Sequence, residues 1–249
     1  GSVRVLAGAG NYAPQTQYTI LTAAGGRSGL FTGGVTSNLA FLVPSLGYDA
    51  SNVYLTMTRN DVSFAGIGLT PNQKATGSGI ENLGLGNPVY NAALNLSAGQ
   101  ARYAFDQLSG EIHASARSAL VEDSRYLRSA VNDRLRSAFD GAGAPVVTYE
   151  DGKPRAAAAN TDRLAFWGHG FGAWGHMNGD GNAAKTTRRT GGLLLGGELH
   201  GEQGLVLGLA GGYSETDADV DARASEAKIK AAQLWAYGAA DAGALRRAT

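Results

Sequence analysis

The sequence predicts a mainly β protein with a central helical segment, and three observations carry that prediction. Short β-branched and aromatic runs, separated by turn-forming glycine and asparagine, fill residues 1–60. Apolar residues then recur at helical spacing through residues 110–139, and longer strand-like runs return after Arg163. Glycine accounts for 37 residues and proline for 6. Glycine without proline favours strands, tight turns and close backbone packing.

The N-terminal β region, residues 1–60, contains four short strand-like runs. In the last of them, apolar and more polar residues alternate, which indicates a strand with one buried face. The turns between the runs contain Gly10-Asn11, paired glycines or the sequence "DASN". The four predicted strands are Val3–Leu6, Tyr18–Thr22, Leu39–Leu46 and Val53–Thr58.

Residues 61–140 are predicted to form a helical linker. Pro88 lies in the first turn of one predicted helix, and Ser97 is the expected N-cap of the next. Ser109 is the expected cap of a longer helix that ends at Phe139. The apolar stripe of this long helix consists of Ile112, Ala116, Leu120, Leu127, Val131, Leu135 and Phe139.

Residues 141–162 are predicted as a loop, and residues 163–249 as a second β region with longer strands. Segments of about ten residues are long enough to cross a bilayer when they are tilted. The glycines along these segments leave room for a helix or another backbone to come close. The predicted strands are Leu164–Met177, Gly191–His200, Leu205–Thr216 and Ala227–Ala240, with a fifth beginning at Leu245.

Composition excludes several classes of function. The 21 basic and 21 acidic side chains balance, so bulk charge favours no nucleic acid partner. The sequence has no cysteine, which rules out thiol chemistry and cysteine-bound metals. It has neither an apolar run of about eighteen residues nor a signal peptide. Because both ends read as interrupted strands, we expect the chain to be part of a longer protein.

The motifs show no pattern for catalysis, for a cofactor or for a metal. His169 and His176 are seven residues apart, so on a regular strand they point to opposite faces. The sequence "NGDGN" lacks the ligand spacing of a calcium loop, and neither a Gly-x-Ser-x-Gly elbow nor a phosphate-binding loop occurs. We therefore expect no catalytic residue, no metal and no cofactor. The charged residues of the long helix are expected to make mostly a solvated face, and they are Glu111, Glu122, Asp123, Arg125, Arg128, Asp133 and Arg134.

The aromatic residues at the start of the second β region allow two interpretations. A sugar-binding patch and a girdle at a membrane interface both expose aromatic rings. The length of the predicted strand favours the girdle. The aromatic residues concerned are Phe166, Trp167, Phe171 and Trp174.

Three long segments carry a resemblance to a known family. "NYAPQTQYTILTAAGG", followed by "LFTGGVTSNLAFLVPSLGYDASNVYLTMTRN", closely resembles the end of passenger domains in type V autotransporters of Gram-negative bacteria. The segment "GNPVYNAALNLSAGQARYAFDQLSGEIHASARSALVEDSRYLRSAVNDRL" resembles the same family. "AFWGHGFGAWGHMNGDGNAAKTTRRTGGLLLGG" resembles the first strands of the family's translocator barrel. The resemblance covers nearly the whole chain and keeps the order of the family's parts.

The resemblance implies a division into parts. Residues 1–60 would be the end of a passenger β-helix with an autochaperone-like role, and residues 61–140 would be linker helices. Residues 163–249 would supply roughly four strands of a twelve-stranded outer-membrane β-barrel, which this chain leaves incomplete. Candidates for the passenger-folding core are Tyr18, Ile20, Leu39, Phe41, Tyr54 and Leu55, and candidates for the membrane interface are Trp167, Trp174 and Trp235.

The resemblance also implies self-secretion of a passenger across the outer membrane and its display on the cell surface. The expected partners are outer-membrane lipid, the barrel-assembly machinery, the chain's own upstream passenger and a host surface ligand. Two alternatives stay open, an adhesin-type interaction module and part of a hydrolase passenger. Self-cleavage beside paired asparagines is not expected, because the sequence has no Asn-Asn pair. Four strands alone would leave unpaired edges, so this chain by itself is not expected to form a pore.

Overall fold

The structure is a computed structural model that describes residues 1–8, 15–138, 146–150, 153–157, 163–201, 204–242 and 245–248. It contains two compact units. The first consists of Gly1–Gly110 with Asp180–Ala183, and the second of Glu111–Gly179 with Ala184–Thr249. The predicted class is confirmed, since the chain is mainly strands with a central helical segment and an antiparallel sheet near its C-terminus.

The strands of the first unit form two small sheets. Strand β1 (Val3–Val5) pairs in parallel with β3 (Val35–Ser37). Strands β2 (Gln17–Thr22), β4 (Leu42–Tyr48) and β5 (Asn52–Arg59) form an antiparallel sheet in the order β2-β5-β4. Strand β3 is missing from the prediction, because three residues beside a glycine pair are too few to show a period.

Four helices follow β5 in the first unit, and their starts are capped locally. Ser97 accepts a hydrogen bond from the backbone of Gln100, as its predicted N-cap role requires, and Thr70 forms the same capping box with Gln73. Pro88 begins its helix as predicted. The helices are α1 (Phe64–Ile67), α2 (Pro71–Leu83), α3 (Pro88–Leu94) and α4 (Ala98–Gln107).

A single aromatic cluster joins the strands and the helices of this unit. Phe41, just before β4, meets Phe64 of α1 with ring centroids 4.6 Å apart. Phe64 also packs edge-on against Tyr90 and Phe105. Phe41 therefore ties the strands to the helical core of a compact unit that extends to Gly110.

The second unit combines one long helix with a sheet. Helix α5 (Glu111–Ala138) matches the predicted helix, although Phe139 lies outside the described residues. Its sheet has the linear order β12-β11-β10-β9-β8-β6-β7. The strands are β6 (Val146–Glu150), β7 (Lys153–Ala157), β8 (Leu164–Met177), β9 (Thr186–His200), β10 (Leu205–Val220), β11 (Ser225–Ala242) and β12 (Leu245–Ala248).

Two parts of this sheet differ from the prediction. Strands β6 and β7 pair as an antiparallel hairpin where a loop was expected. The dipeptide between them in the sequence, Asp-Gly, is one that favours two-residue hairpin turns in general, and it lies outside the described residues. Strand β9 begins at Thr186, five residues before its predicted start. The stretch "TTRRT" is polar on both faces, so it gives no alternation of apolar and polar residues.

Candidate functional site

The two faces of the sheet β8–β11 differ in exposure, since one is open and the other is covered by α5. Its outer face exposes a continuous set of leucines, among them Leu209 at 61% and Leu234 at 83% exposure. Its inner face packs on α5 and buries Leu194, Val206 and Ala210. A water-soluble protein rarely exposes so wide an apolar surface, whereas a membrane-facing strand does.

The outer apolar surface ends at a sharp boundary that the strand register defines. Side chains directly opposite one another on neighbouring strands form rows across the sheet. The last apolar row contains Gly170, Leu193, Tyr213 and Ala232. The next two rows contain Gly172, Gly191, Glu215 and Lys230, and then Trp174, Arg189, Asp217 and Lys228.

Charges begin abruptly beyond this boundary. Lys228 Nζ lies 3.3 Å from Glu215 and 3.5 Å from Asp217, so these three side chains form an exposed ion-pair network. Trp174 stands in the same row as Asp217 and is 85% exposed. An aromatic ring at the edge of an apolar band is typical of a membrane interface.

The inner face holds α5 through an apolar core. Leu127, Val131 and Leu135 of the predicted stripe are buried there against the sheet. Gly212 of β10 allows the helix to come close, because a Cβ atom at that position would lie 3.1 Å from Leu127 Cδ2. Two residues of the stripe nearer the start of the helix contribute less, since Leu120 is 44% exposed and Ile112 is half-buried.

Glycines of the inner face also accommodate aromatic rings from the neighbouring strand. Trp167 stands opposite Gly196 and Tyr237 stands opposite Gly208, and a Cβ atom on either glycine would meet the ring at 2.2–2.6 Å. The glycines of β8 were expected to make room for a helix. Instead they alternate with the inward-facing residues, so Gly168 and its neighbours lie on the exposed face.

A buried polar network connects the C-terminal half of α5 to three strands. Arg134 forms an ion pair with Glu198, and their side chains are 4% and 0% exposed. Tyr237 Oη donates to the other oxygen of Glu198 at 2.9 Å and accepts from Trp167 Nε1 at 2.6 Å. His200 Nε2 lies 2.8 Å from Glu198 Oε1. These contacts fix the Glu198 carboxylate in one position.

A second network holds the middle of α5. Asp123 accepts hydrogen bonds from Thr216 Oγ1 at 2.5 Å and from Thr190 Oγ1 at 3.2 Å. Arg188 of β9 lies 3.6 Å from Asp123 and forms a shorter contact of 2.7 Å with Glu122. The middle of the helix is therefore held by an acid on the helix and a base on the sheet.

A third contact holds the first residue of α5. Glu111 Oε2 accepts from Arg223 Nε at 3.0 Å, and its other oxygen accepts from the backbone N–H of Ala184 at 2.6 Å. The expectation that Glu111, Asp123 and Arg134 lie on a solvated face is thus wrong, because all three are buried. Asp123 and Arg134 are eleven residues apart, about three helical turns, and this spacing is the signal in the sequence that places these two on one face.

Two of the three interface candidates lie on the face opposite to the expected one. Trp167 and Trp235 both pack against the core around α5. The alternation of side chains along β8 decides this outcome for Trp167. It precedes Trp174 by an odd number of residues, so the two side chains point to opposite faces. Only Trp174 points to the outside, and its membrane role stays a prediction.

The candidates for the passenger-folding core lie in the first unit, at different depths. Phe41 is fully buried, Leu55 is 8% exposed, and Tyr18 and Leu39 are half-buried against the core of β4 and β5. Ile20 is 41% exposed. Tyr54 is half-buried, and its hydroxyl donates to Asp49 at 2.5 Å.

Asp49 organises the turn between β4 and β5. Its carboxylate accepts hydrogen bonds from the Asn52 side chain, from Tyr54 and from the backbone N–H of Ser51. These bonds, the Asn52 side chain first, hold the pKa of Asp49 well below its ordinary value of 3.8. The bond to Asp49 raises the pKa of Tyr54.

Two further features are absent from the residues that the structure describes. Within the described ranges, no three histidine, aspartate or glutamate side chains lie close enough together to hold a metal ion. No helix in the described part of the chain is long and apolar enough to span a membrane.

Comparison with known proteins agrees with the geometry. Residues 166–246 match the model of the autotransporter beta-domain. An "Extracellular serine protease" of Serratia marcescens is 30% identical over an alignment of 273 residues that covers 92% of this chain and 25% of that relative. A second protein of that name and organism is 28% identical over an alignment of 241 residues that covers 80% of this chain and 22% of the relative. No solved structure matches the chain.

The chain therefore spans about a quarter of the length of the curated relatives it matches. The matched beta-domain coincides with strands β8–β11, whose outer face is apolar and whose inner face packs on α5. On this evidence the strands β8–β11 are similar to the autotransporter beta-domain, and most of the chain is similar to about a quarter of each of two extracellular serine proteases.

Proposed function

We propose that this chain acts in the self-secretion of a passenger across the outer membrane and in its display on the cell surface. In this proposal β8–β12 form part of a lipid-facing wall, α5 is the segment that lies within the pore, and the N-terminal unit is the end of the passenger. The observation that carries the proposal is the difference between the two faces of the sheet β8–β11. Its outer face is apolar up to one row of residues, and its inner face holds buried charges against a helix.

The extent of the outer apolar surface supports a lipid-facing wall. Along β9 it runs from Leu199 to Leu193, which is about 20 Å of strand at roughly 3.3 Å per residue. Outer-membrane barrels carry an apolar band about 25 Å tall between aromatic girdles. Tyr213 and Trp174 stand at the boundary, where such a girdle belongs.

Substitutions on the outer face test this proposal. We expect Leu209→Arg to lower the fraction of full-length protein inserted in the outer membrane, because arginine on the lipid face costs about 2–4 kcal/mol near the midplane. Thr187→Arg, on the same face beyond the charged boundary, is the matched control and is expected to insert normally. Insertion is measured by membrane fractionation and by heat-dependent migration on gels. Equal insertion of the two variants would contradict a lipid-facing wall.

The N-terminal unit is proposed to fold at the cell surface and so to prevent the passenger from sliding back. Its aromatic core supports this role, because burying apolar surface on one side of the membrane favours chain on that side. We expect Phe64→Ala to destabilise the unit by about 3–5 kcal/mol, as for other buried aromatic residues. The surface-exposed passenger should decrease while barrel insertion stays normal. Tyr103→Ala, at a 66% exposed aromatic residue of α4, is the control.

We further infer that the chain itself supplies no catalytic step. The name "serine protease" belongs to relatives of which it spans about a quarter. The barrel-assembly machinery is the proposed partner for insertion, together with outer-membrane lipid and the chain's own upstream passenger. Depleting that machinery from a Gram-negative host should leave the protein in the periplasm, and unchanged insertion would remove the machinery from the list of partners.

A further inference from the structure

Three buried charge contacts lie along α5, and the sign of the helix charge changes from one end to the other. We propose that these contacts fix the direction and the axial position in which α5 seats on the strand wall, with Arg134 and Glu198 as the stop. The proposal rests on the proposed function, because it concerns how the pore segment comes to rest. Arg134 and Glu198 are positioning residues in this proposal.

The signs on helix and wall are complementary and ordered. The first half of α5 contributes acids, Glu111 and Asp123, and these meet Arg223 and Arg188 of the wall. The second half contributes Arg134, which meets Glu198. The two wall arginines lie toward the turns that end β8 and β10, whereas Glu198 lies near the opposite end of β9.

This order of charges favours one direction of the helix. In a reversed helix, Arg134 would approach Arg223, and Glu111 would approach Glu198, whereas Asp123, midway between them, would stay near Arg188. Both end contacts would then bring like charges together in a site shielded from water, where repulsion is strong. The native direction replaces every such repulsion with an ion pair or a hydrogen bond to a charged group.

The same contacts oppose axial slippage. A shift of one helical turn, about 5.4 Å, brings Ala130 or Ala138 toward Glu198 in place of Arg134. Glu198 would then be a fully buried carboxylate without its cationic partner, which is strongly destabilising. Its position is set independently of the helix by Tyr237 and His200, so the carboxylate cannot follow the displaced arginine.

Cross-linking in the full-length protein tests the proposal, because the sequence contains no cysteine to interfere. Leu127→Cys and Leu194→Cys place one thiol on the helix and one on the wall within the same core cluster, and a short thiol-reactive cross-linker reports correct seating. In this background we expect Arg134→Glu, and separately Glu198→Arg, to lower the cross-linked fraction at least fivefold. The swapped double variant should recover it to within twofold of the parent. Arg128→Glu, at an exposed arginine of the same helix, is the matched control.

The readout separates this proposal from the proposed function. Cross-linking is measured only on protein that is inserted in the outer membrane, and passenger display is measured in the same cells. Loss of cross-linking in the single variants, with recovery in the swapped double variant, supports the proposal that Arg134 and Glu198 fix the axial position of α5. Parental cross-linking in the single variants, or a swap as poor as either of them, overturns it whatever the display. Absence of display from the full-length protein without any substitution contradicts the proposed function and leaves the cross-linking comparison intact.

Discussion

Gly208 provides the sharpest test of how the wall holds its buried network. A Cβ atom at this position would lie 2.2 Å from Cζ of Tyr237 and 2.5 Å from its Oη. The tyrosine ring cannot move aside freely, because its hydroxyl bonds to Trp167 at 2.6 Å and to Glu198 at 2.9 Å. We therefore expect Gly208→Ala to displace the ring and to break one or both hydrogen bonds.

The magnitude follows from two contributions. Overpacking a tight core costs about 1–3 kcal/mol. Each of the two lost hydrogen bonds adds about 0.5–1.5 kcal/mol. The free energy of unfolding should fall by roughly 2–6 kcal/mol in total. Gly211→Ala is the matched control, because it adds the same methyl group to the same strand with no atom within 4 Å.

Denaturant titration of the folded protein in detergent measures this difference, with tryptophan fluorescence as a probe of the Trp167 contact. A second pair of variants isolates the cause, since the clash needs the Tyr237 ring. In a Tyr237→Ala background, Gly208→Ala should cost less than about 0.5 kcal/mol, which is the scatter of non-interacting sites. An equal cost in both backgrounds, or an equal cost for Gly208→Ala and Gly211→Ala, would refute the reasoning.

Two further predictions concern separate parts of the molecule. Leu127→Ala should lower the free energy of unfolding by about 2–5 kcal/mol, because Leu127 is 1% exposed. Leu120→Ala on the same helix, at 44% exposure, should lower it much less. Equal losses of stability in thermal unfolding would show that α5 packs on the sheet differently. The β4–β5 turn should weaken in acid, because the folded pKa of Asp49 lies below 3.8. The stabilisation is complete above that pH and is lost as the pH falls further. Amide hydrogen exchange at Ser51 and Asn52 checks this, and Asp49→Asn should remove the pH dependence.

Local patterns alone predicted most of the secondary structure. The caps at Pro88 and Ser97, the long helix and the strands after Arg163 all depend on residues close to one another in the chain. Local sequence patterns predict the boundary of the outer apolar surface only in part. Trp174 marks it in the sequence, but the register with Arg189 and Asp217 needs the paired strands.

The direction of each side chain on the wall was decided by tertiary structure. The strands carry small and mixed residues on both faces, so alternation alone does not say which face is inside. Packing against α5 makes that choice, and it turns Trp167 inward and the β8 glycines outward.

The burial of charge was decided in the same way. Arg134 reads as solvated in isolation, and only a carboxylate 64 residues further along the chain makes its burial favourable. The sequence by itself therefore determined which segments are helix and strand. Contacts between distant segments determined which surfaces meet lipid and which hold the helix, because the free energy of those contacts belongs to pairs of residues that no local window contains.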